Sequence, residues 1–194
     1  LQAKWGVIDD HEIMNYLGQD GKLTMHEWGQ YVSQSGALKP GVSLRYRPVY
    51  DIFRLTEVGL WDNNPQPWYI VRLTILTLFI ATAWYITQSI IGFAGGGLLA
   101  TYILTADYWK DIVARLGPSE VYVALGLLVF AFFTHRLLQK KQHWSHWLGI
   151  FIGFIIMIGA KENAVVLAPL LLIPLYISYQ KKSLPKMALV YSGI

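Results

Sequence analysis

The chain has 194 residues, 54% of them hydrophobic and only 14% charged, with a net charge of +4. Soluble domains carry about 25% charged residues, so the composition predicts an integral membrane protein, and the small, scattered positive charge excludes a nucleic-acid-binding role. The absence of cysteine excludes a disulfide framework and any thiolate metal site.

Residues 1–67 are polar and mixed and hold eight of the twelve acidic residues. The intervals of Ile13, Tyr16 and Leu17 predict a short helix over 10–17. Those of Ile52, Leu55 and Leu60 predict a second over 50–60. Both are expected to lie against a membrane surface. Turn signals stand at Gln19-Asp20-Gly21, Lys39-Pro40-Gly41 and Asn63-Asn64-Pro65. The apolar stretch from Trp68 to Thr105 is too long for one span of about 20 residues. It divides into a hairpin, 69–88 and 90–105, with Gly92 and Gly95-Gly96-Gly97 in the tighter second arm. An amphipathic insert follows over 106–119, with Tyr108, Trp109, Ile112, Val113 and Leu116 on one side. Gly117-Pro118 ends it, and Ser119 is the predicted cap of a span over 120–138. A basic loop, Gln139-Lys140-Lys141-Gln142-His143, leads into two shorter arms, 147–160 and 164–179, interrupted by Lys161-Glu162-Asn163. A further apolar stretch begins near 187, so the chain reads as a piece of a longer protein.

Charge gives an orientation. The loops 139–146 and 180–186 hold five Lys and no acid, which predicts both to be cytoplasmic. Counting spans backwards then puts 161–163, the insert and residues 1–67 on the non-cytoplasmic side. Eleven of the twelve acidic residues fall there, and the twelfth, Glu120, starts the adjoining span from the same side.

Three charged constellations carry chemistry. Asp9-Asp10-His11-Glu12 sets two carboxylates side by side, and in a low-dielectric cleft such a pair cannot ionise cheaply. It suits a general base or a cation site, where Asp9, Asp10 and His11 would be the ligands of any divalent metal; a polar surface residue is the plainer reading of His11. An N-cap on a short helix explains the same acids. In Arg45-Tyr46-Arg47-Pro48-Val49-Tyr50, the arginine fork fits phosphate oxygens, and Pro48 keeps Arg47 extended. A headgroup-seeking interfacial arginine fits the pattern equally. Lys161-Glu162-Asn163 puts charge between two membrane arms, where charge is a functional candidate by default. A self-neutralising pair at a turn is the plainer reading. Asp20 to Glu27 matches the second half of a calcium-binding loop, but Tyr16 and Gly18 stand where its first ligands belong, so a Gly-centred turn is expected instead. Trp61, Trp68, Trp84, Trp109, Trp144 and Trp147 read mostly as an aromatic belt at the span ends.

With these pieces in order, the chain resembles the GT-C superfamily of membrane glycosyltransferases, including the protein O-mannosyltransferases and the enzymes that add aminoarabinose to lipid A. Asp9-Asp10 stands where the family has an acidic pair in its first outer loop, with Asp10 where many members have Glu. Tyr46-Arg47-Pro48-Val49-Tyr50 looks like its basic-Pro motif. The run from Gly149 to Ala164 is similar to its Gly-rich span ending in Lys-Glu. Val49 stands where a second Pro is frequent, and region 92–119 lacks the His- and Glu-rich loop of some branches. The resemblance implies an all-α polytopic fold, of which this chain is an N-terminal part. It implies transfer of a sugar from a polyprenyl-phosphate carrier to a protein, glycan or lipid acceptor, usually with inversion. Asp9 or Asp10 would be the base, Arg47 and Lys161 would bind the carrier phosphate, Glu162 would orient Lys161, and His11 would support the acids. A transporter would need charges along a path inside the spans, and apart from Arg72 and 161–163 these are almost absent. A non-catalytic GT-C-like scaffold or partner subunit is the alternative.

Overall fold

The computed structural model describes residues 13–17, 20–34, 46–139 and 143–180. Every element among them is a helix. Helix α1 (Met25–Gln34) follows a turn at Asp20-Gly21-Lys22, and α2 (Pro48–Trp61) leads through Asn63 and Asn64 into α3 (Pro65–Thr105). Then come α4 (Asp107–Ala114), α5 (Glu120–Gln139) and α6 (Trp144–Ala160). A 3-10 helix (Glu162–Leu171) runs directly into α7 (Leu172–Gln180). Three stretches are long and apolar enough to cross a membrane: α3, α5, and the 3-10 helix together with α7.

Local chemistry sets the boundaries. Before α1, the Thr24 backbone N–H and hydroxyl both donate to Glu27, at 2.9 and 2.7 Å, while the Glu27 N–H donates to the Thr24 hydroxyl at 3.3 Å. That is a capping box. Asp20 accepts from the Lys22 N–H at 3.1 Å around Gly21, whose φ is +73°. The two acids of the calcium-like match therefore serve a turn and a cap. Pro48 opens α2, where its missing N–H costs nothing. Asn64 accepts from the Gln66 N–H at 3.1 Å and so caps α3, which Pro65 begins.

Helix α3 is two arms. Gly92 has φ 83° and ψ 174°, a conformation open essentially to glycine alone. Beyond it the chain folds back. A Cβ on Gly96 would lie 2.2 Å from Cδ1 of Trp84, and the Trp84 and Phe93 rings are 5.3 Å apart. In one continuous helix, residues 84 and 96 would stand about 18 Å apart. The turn thus lies at Gly92, a few residues past the interval between 88 and 90 read from the sequence. The return continues through α4: Trp109 packs on Phe79 with centroids 5.1 Å apart, and Ile112 is buried with Ile75 and Val121.

Helices α5 and α6 form the tightest pair. A Cβ on Gly126 would lie 2.4 Å from the Met157 nitrogen, and one on Gly153 2.5 Å from the Phe130 nitrogen. Two glycines facing backbone let the helix axes approach closely, the small-residue packing favoured between spans. Helix α6, with 17 residues, is about 26 Å long. After it, ten residues of 3-10 helix rising about 2.0 Å each and nine of α7 rising about 1.5 Å reach about 33 Å. Pro169 and Pro174 lie in this stretch, each without an N–H for the helical ladder.

Helix α2 covers the predicted 50–60 segment. Of the three apolar residues that mark the face expected against a membrane surface, Leu55 is buried, and Ile52 and Leu60 are exposed. The face packed into the protein carries Tyr50, Arg54, Leu55, Glu57 and Val58. A polar network holds that face. Arg54 donates to the carbonyls of Leu116 and Gly117, both at 2.7 Å, and to the Tyr50 hydroxyl at 3.2 Å. Arg72 makes two bonds of 3.1 Å to the Glu57 carboxylate and one of 3.0 Å to the Tyr122 hydroxyl, which itself donates to Glu57. Trp68 lies beside both guanidinium groups, 5.3 Å from Arg54 and 5.8 Å from Arg72. It is fully buried, so it is a core residue and not part of an interfacial belt. Ile13, Leu23, Val58 and Leu116 close the core around it. The network ties α2, the head of α3 and the segment before α5 into one unit.

Candidate functional site

Three separate stretches of chain meet at one end of the helices. Arg47 immediately precedes α2, Glu120 begins α5, and Lys161 and Glu162 follow α6. Arg47 makes a two-pronged ion pair with Glu162: Nε donates to one carboxylate oxygen, and Nη2 to the other at 2.9 Å. Lys161 pairs with Glu120. The Glu162 carboxylate holds the Arg47 guanidinium above its ordinary pKa, and Glu120 adds to that field. Among the described residues, two cations and two carboxylates thus share one cluster.

The pairing departs from the resemblance. Glu162 was expected to orient Lys161, its chain neighbour. Lys161 is in extended backbone, with φ −151° and ψ 131°, and in extended chain successive side chains point to opposite sides. Glu162 therefore reaches Arg47, and Lys161 reaches Glu120. Packing fixes this arrangement. Val49 lies against Gly159, where a Cβ would come within 2.5 Å of its Cγ2, so α2 seats directly on the end of α6.

Below the cluster lies a cavity of about 330 Å³. Glu120, Lys161 and Asn163 line it where α5 begins and α6 ends. Phe79, Val123, Leu127 and Leu167 line it further along the helices, and Tyr108, Trp109 and Ile112 of α4 form a wall. The lining is overwhelmingly apolar apart from that charged end. Its charged end and apolar walls have the polarity pattern of an amphipathic molecule with a charged head and a hydrocarbon tail.

No protein-family model, curated protein or solved structure matches this chain.

Arg47, Lys161 and Glu162 are brought together by the fold. Asp9, Asp10 and His11 lie outside the described residues. Among the described residues no three His, Asp or Glu side chains gather as metal ligands. Two contributors do not stand out in the sequence as site residues: Glu120 and the aromatic pair of α4. In sequence, Gly117-Pro118-Ser119-Glu120 reads only as a helix start. The Ser119 carbonyl does accept the first helical bonds, from the Tyr122 and Val123 N–H groups at 3.1 and 3.3 Å. A glutamate in the first turn of an apolar span was the available clue.

Proposed function

We propose that this chain is part of a membrane glycosyltransferase that moves a sugar from a polyprenyl-phosphate carrier to an acceptor on the non-cytoplasmic side. One observation carries the reading. Arg47 and Lys161, the two cations that the GT-C resemblance nominates for phosphate, lie in one charge cluster, and Lys161 lines the head of an apolar groove. The groove suits the first isoprene units of a carrier, and the ammonium suits its phosphate.

The chemistry needs a single displacement. The acceptor hydroxyl attacks the anomeric carbon and gives its proton to a carboxylate, for which Asp10 or Asp9 is nominated. The bond from anomeric carbon to phosphate oxygen breaks with its electron pair on the phosphate, and the configuration inverts. Lys161 and Arg47 stabilise the charge that develops on the departing phosphate. Glu162 holds the Arg47 fork in one orientation. Lys140, Lys141, Lys181 and Lys182 favour a cytoplasmic position for the opposite loops.

The test is sugar transfer by the full-length protein in liposomes supplied with polyprenyl-phosphate-linked hexose and pentose donors. The reading expects transfer by the parent and a loss of about 100-fold or more in kcat for Lys161→Met, the usual scale for removing one charge-stabilising group. Asp9→Asn and Asp10→Asn, made singly, identify the base. Absence of transfer from every donor, or full rates in Lys161→Met and both Asp variants, overturns the reading.

A further inference from the structure

Both nominated phosphate ligands are already paired, and the two pairs differ. Arg47 meets Glu162 through two parallel bonds, and a guanidinium–carboxylate fork resists rotation away from its partner. Lys161 meets Glu120 through one carboxylate oxygen, and an ammonium on a flexible stem redirects easily. Their places relative to the groove also differ. Lys161 and Glu120 both line it, whereas Arg47 and Glu162 do not. Lys161 and Glu120 are 27% and 25% exposed and Arg47 and Glu162 16% and 36%, so lining of the groove and not exposure separates the pairs.

We infer that Glu120 is a resident counter-ion that an incoming phosphate ester displaces from Lys161, so that Glu120 sets the anion affinity of the groove. An anion entering this cluster meets repulsion from the Glu120 and Glu162 carboxylates as well as attraction from Arg47 and Lys161. Glu162 is locked to Arg47, so Glu120 is the carboxylate that gives way. Its position at the start of α5, on the wall of the groove, lets it swing from the ammonium without disturbing a helix. Glu120 is thus a positioning residue: it keeps Lys161 aimed into the groove when no ligand is present and penalises anions too weak to displace it. The inference rests on the phosphate-binding role proposed above for Lys161.

The experiment is equilibrium binding to the full-length protein in nanodiscs, followed by tryptophan fluorescence, since Trp109 lines the groove. The probes are farnesyl phosphate, farnesol as the uncharged analogue, and inorganic phosphate. Glu120→Gln is expected to tighten farnesyl phosphate binding by about tenfold, because the Lys161 ammonium no longer has to be released from a carboxylate, and to leave farnesol unchanged. Glu120→Asp, which keeps the charge, is expected to bind as the parent does. In a Lys161→Met background the tightening should vanish, because there is no ammonium to release. Inorganic phosphate tests the tail: binding tenfold weaker than farnesyl phosphate assigns the ligand to the groove, and equal binding contradicts a lipid-shaped site. If Lys161→Met weakens farnesyl phosphate while Glu120→Gln leaves it unchanged or weaker, the counter-ion role is wrong and the phosphate site stands. If Lys161→Met and Arg47→Met both bind as tightly as the parent, the phosphate site itself is wrong.

Discussion

Glu57 is the only carboxylate bonded to the buried arginines among the described residues, which makes it the most revealing site for a stability test. Its carboxylate accepts two bonds of 3.1 Å from Arg72 and one from the Tyr122 hydroxyl. The Arg72 side chain has no exposed surface, and that of Glu57 is 11% exposed. Glu57→Gln preserves shape but removes the charge and turns one acceptor oxygen into an NH₂ donor. That donor must face the Arg72 fork or the Tyr122 hydroxyl. Breaking a buried pair from one side costs about 3–5 kcal/mol, because the other charge stays buried without compensation. At about 2–4 °C per kcal/mol for a chain of this size, thermal unfolding in a mild detergent should fall by roughly 6–20 °C. Tyr122→Phe removes a single hydroxyl and should cost about 1 kcal/mol. The double variant Glu57→Leu with Arg72→Met removes both charges, and much of the lost stability should return. A Glu57→Gln protein that melts within about 2 °C of the parent, with a double variant no better than the single, would refute the network as the organiser of this end of the fold.

The close helix pair makes a sharper contrast. Gly126→Ala puts a Cβ 2.4 Å from a backbone nitrogen of α6 and should destabilise by about 1–3 kcal/mol, whereas Gly97→Ala meets nothing within 4 Å and should be neutral or stabilising by up to about 1 kcal/mol. Equal melting temperatures for the two variants would contradict the packing described. At the opposite extreme of burial, the Thr24 hydrogen bonds lower the Glu27 pKa from the ordinary 4.5. Because the folded value is depressed, the support that Glu27 gives α1 is complete above the unfolded value and is lost as pH falls through the lowered one. The ¹³C carboxyl titration of Glu27 should therefore have a midpoint below 4.5, and Thr24→Ala should return it toward 4.5; an unmoved midpoint would contradict the capping box.

What the sequence revealed depended on whether a contact was local or distant. The span at Glu120–Gln139 and the break after Ala160 follow from apolar runs and their punctuation, and both are visible in one dimension. The fold-back in α3 was legible as a glycine-rich stretch too long for one span. Its position was not, because Gly92 takes the left-handed turn while Gly96 makes room for Trp84, and composition does not separate those two uses. The face of α2 that packs into the protein is not legible in hydropathy, for a specific reason. Hydropathy favours Ile52 and Leu60, yet Tyr50, Arg54 and Glu57, spaced four and then three residues apart, follow the helical repeat as well. Their partners, Leu116, Gly117 and Tyr122, are more than 60 residues away. The charge cluster had the same limit. Arg47, Lys161 and Glu162 stood out individually, but the exchange of partners depends on the extended backbone at Lys161 and on Glu120, 41 residues earlier.

The account depends most on Arg47, Glu120 and Lys161 sharing one aqueous face. Single cysteines at Tyr46, Asn163 and His143, introduced one at a time into a cysteine-free full-length protein, read this directly with a membrane-impermeant maleimide on sealed vesicles of known orientation. All three native residues are exposed. Tyr46→Cys and Asn163→Cys should label from the non-cytoplasmic side, and His143→Cys only from the cytoplasmic side. Labelling of positions 46 and 163 from opposite sides, or of position 143 from the same side as both, would contradict it.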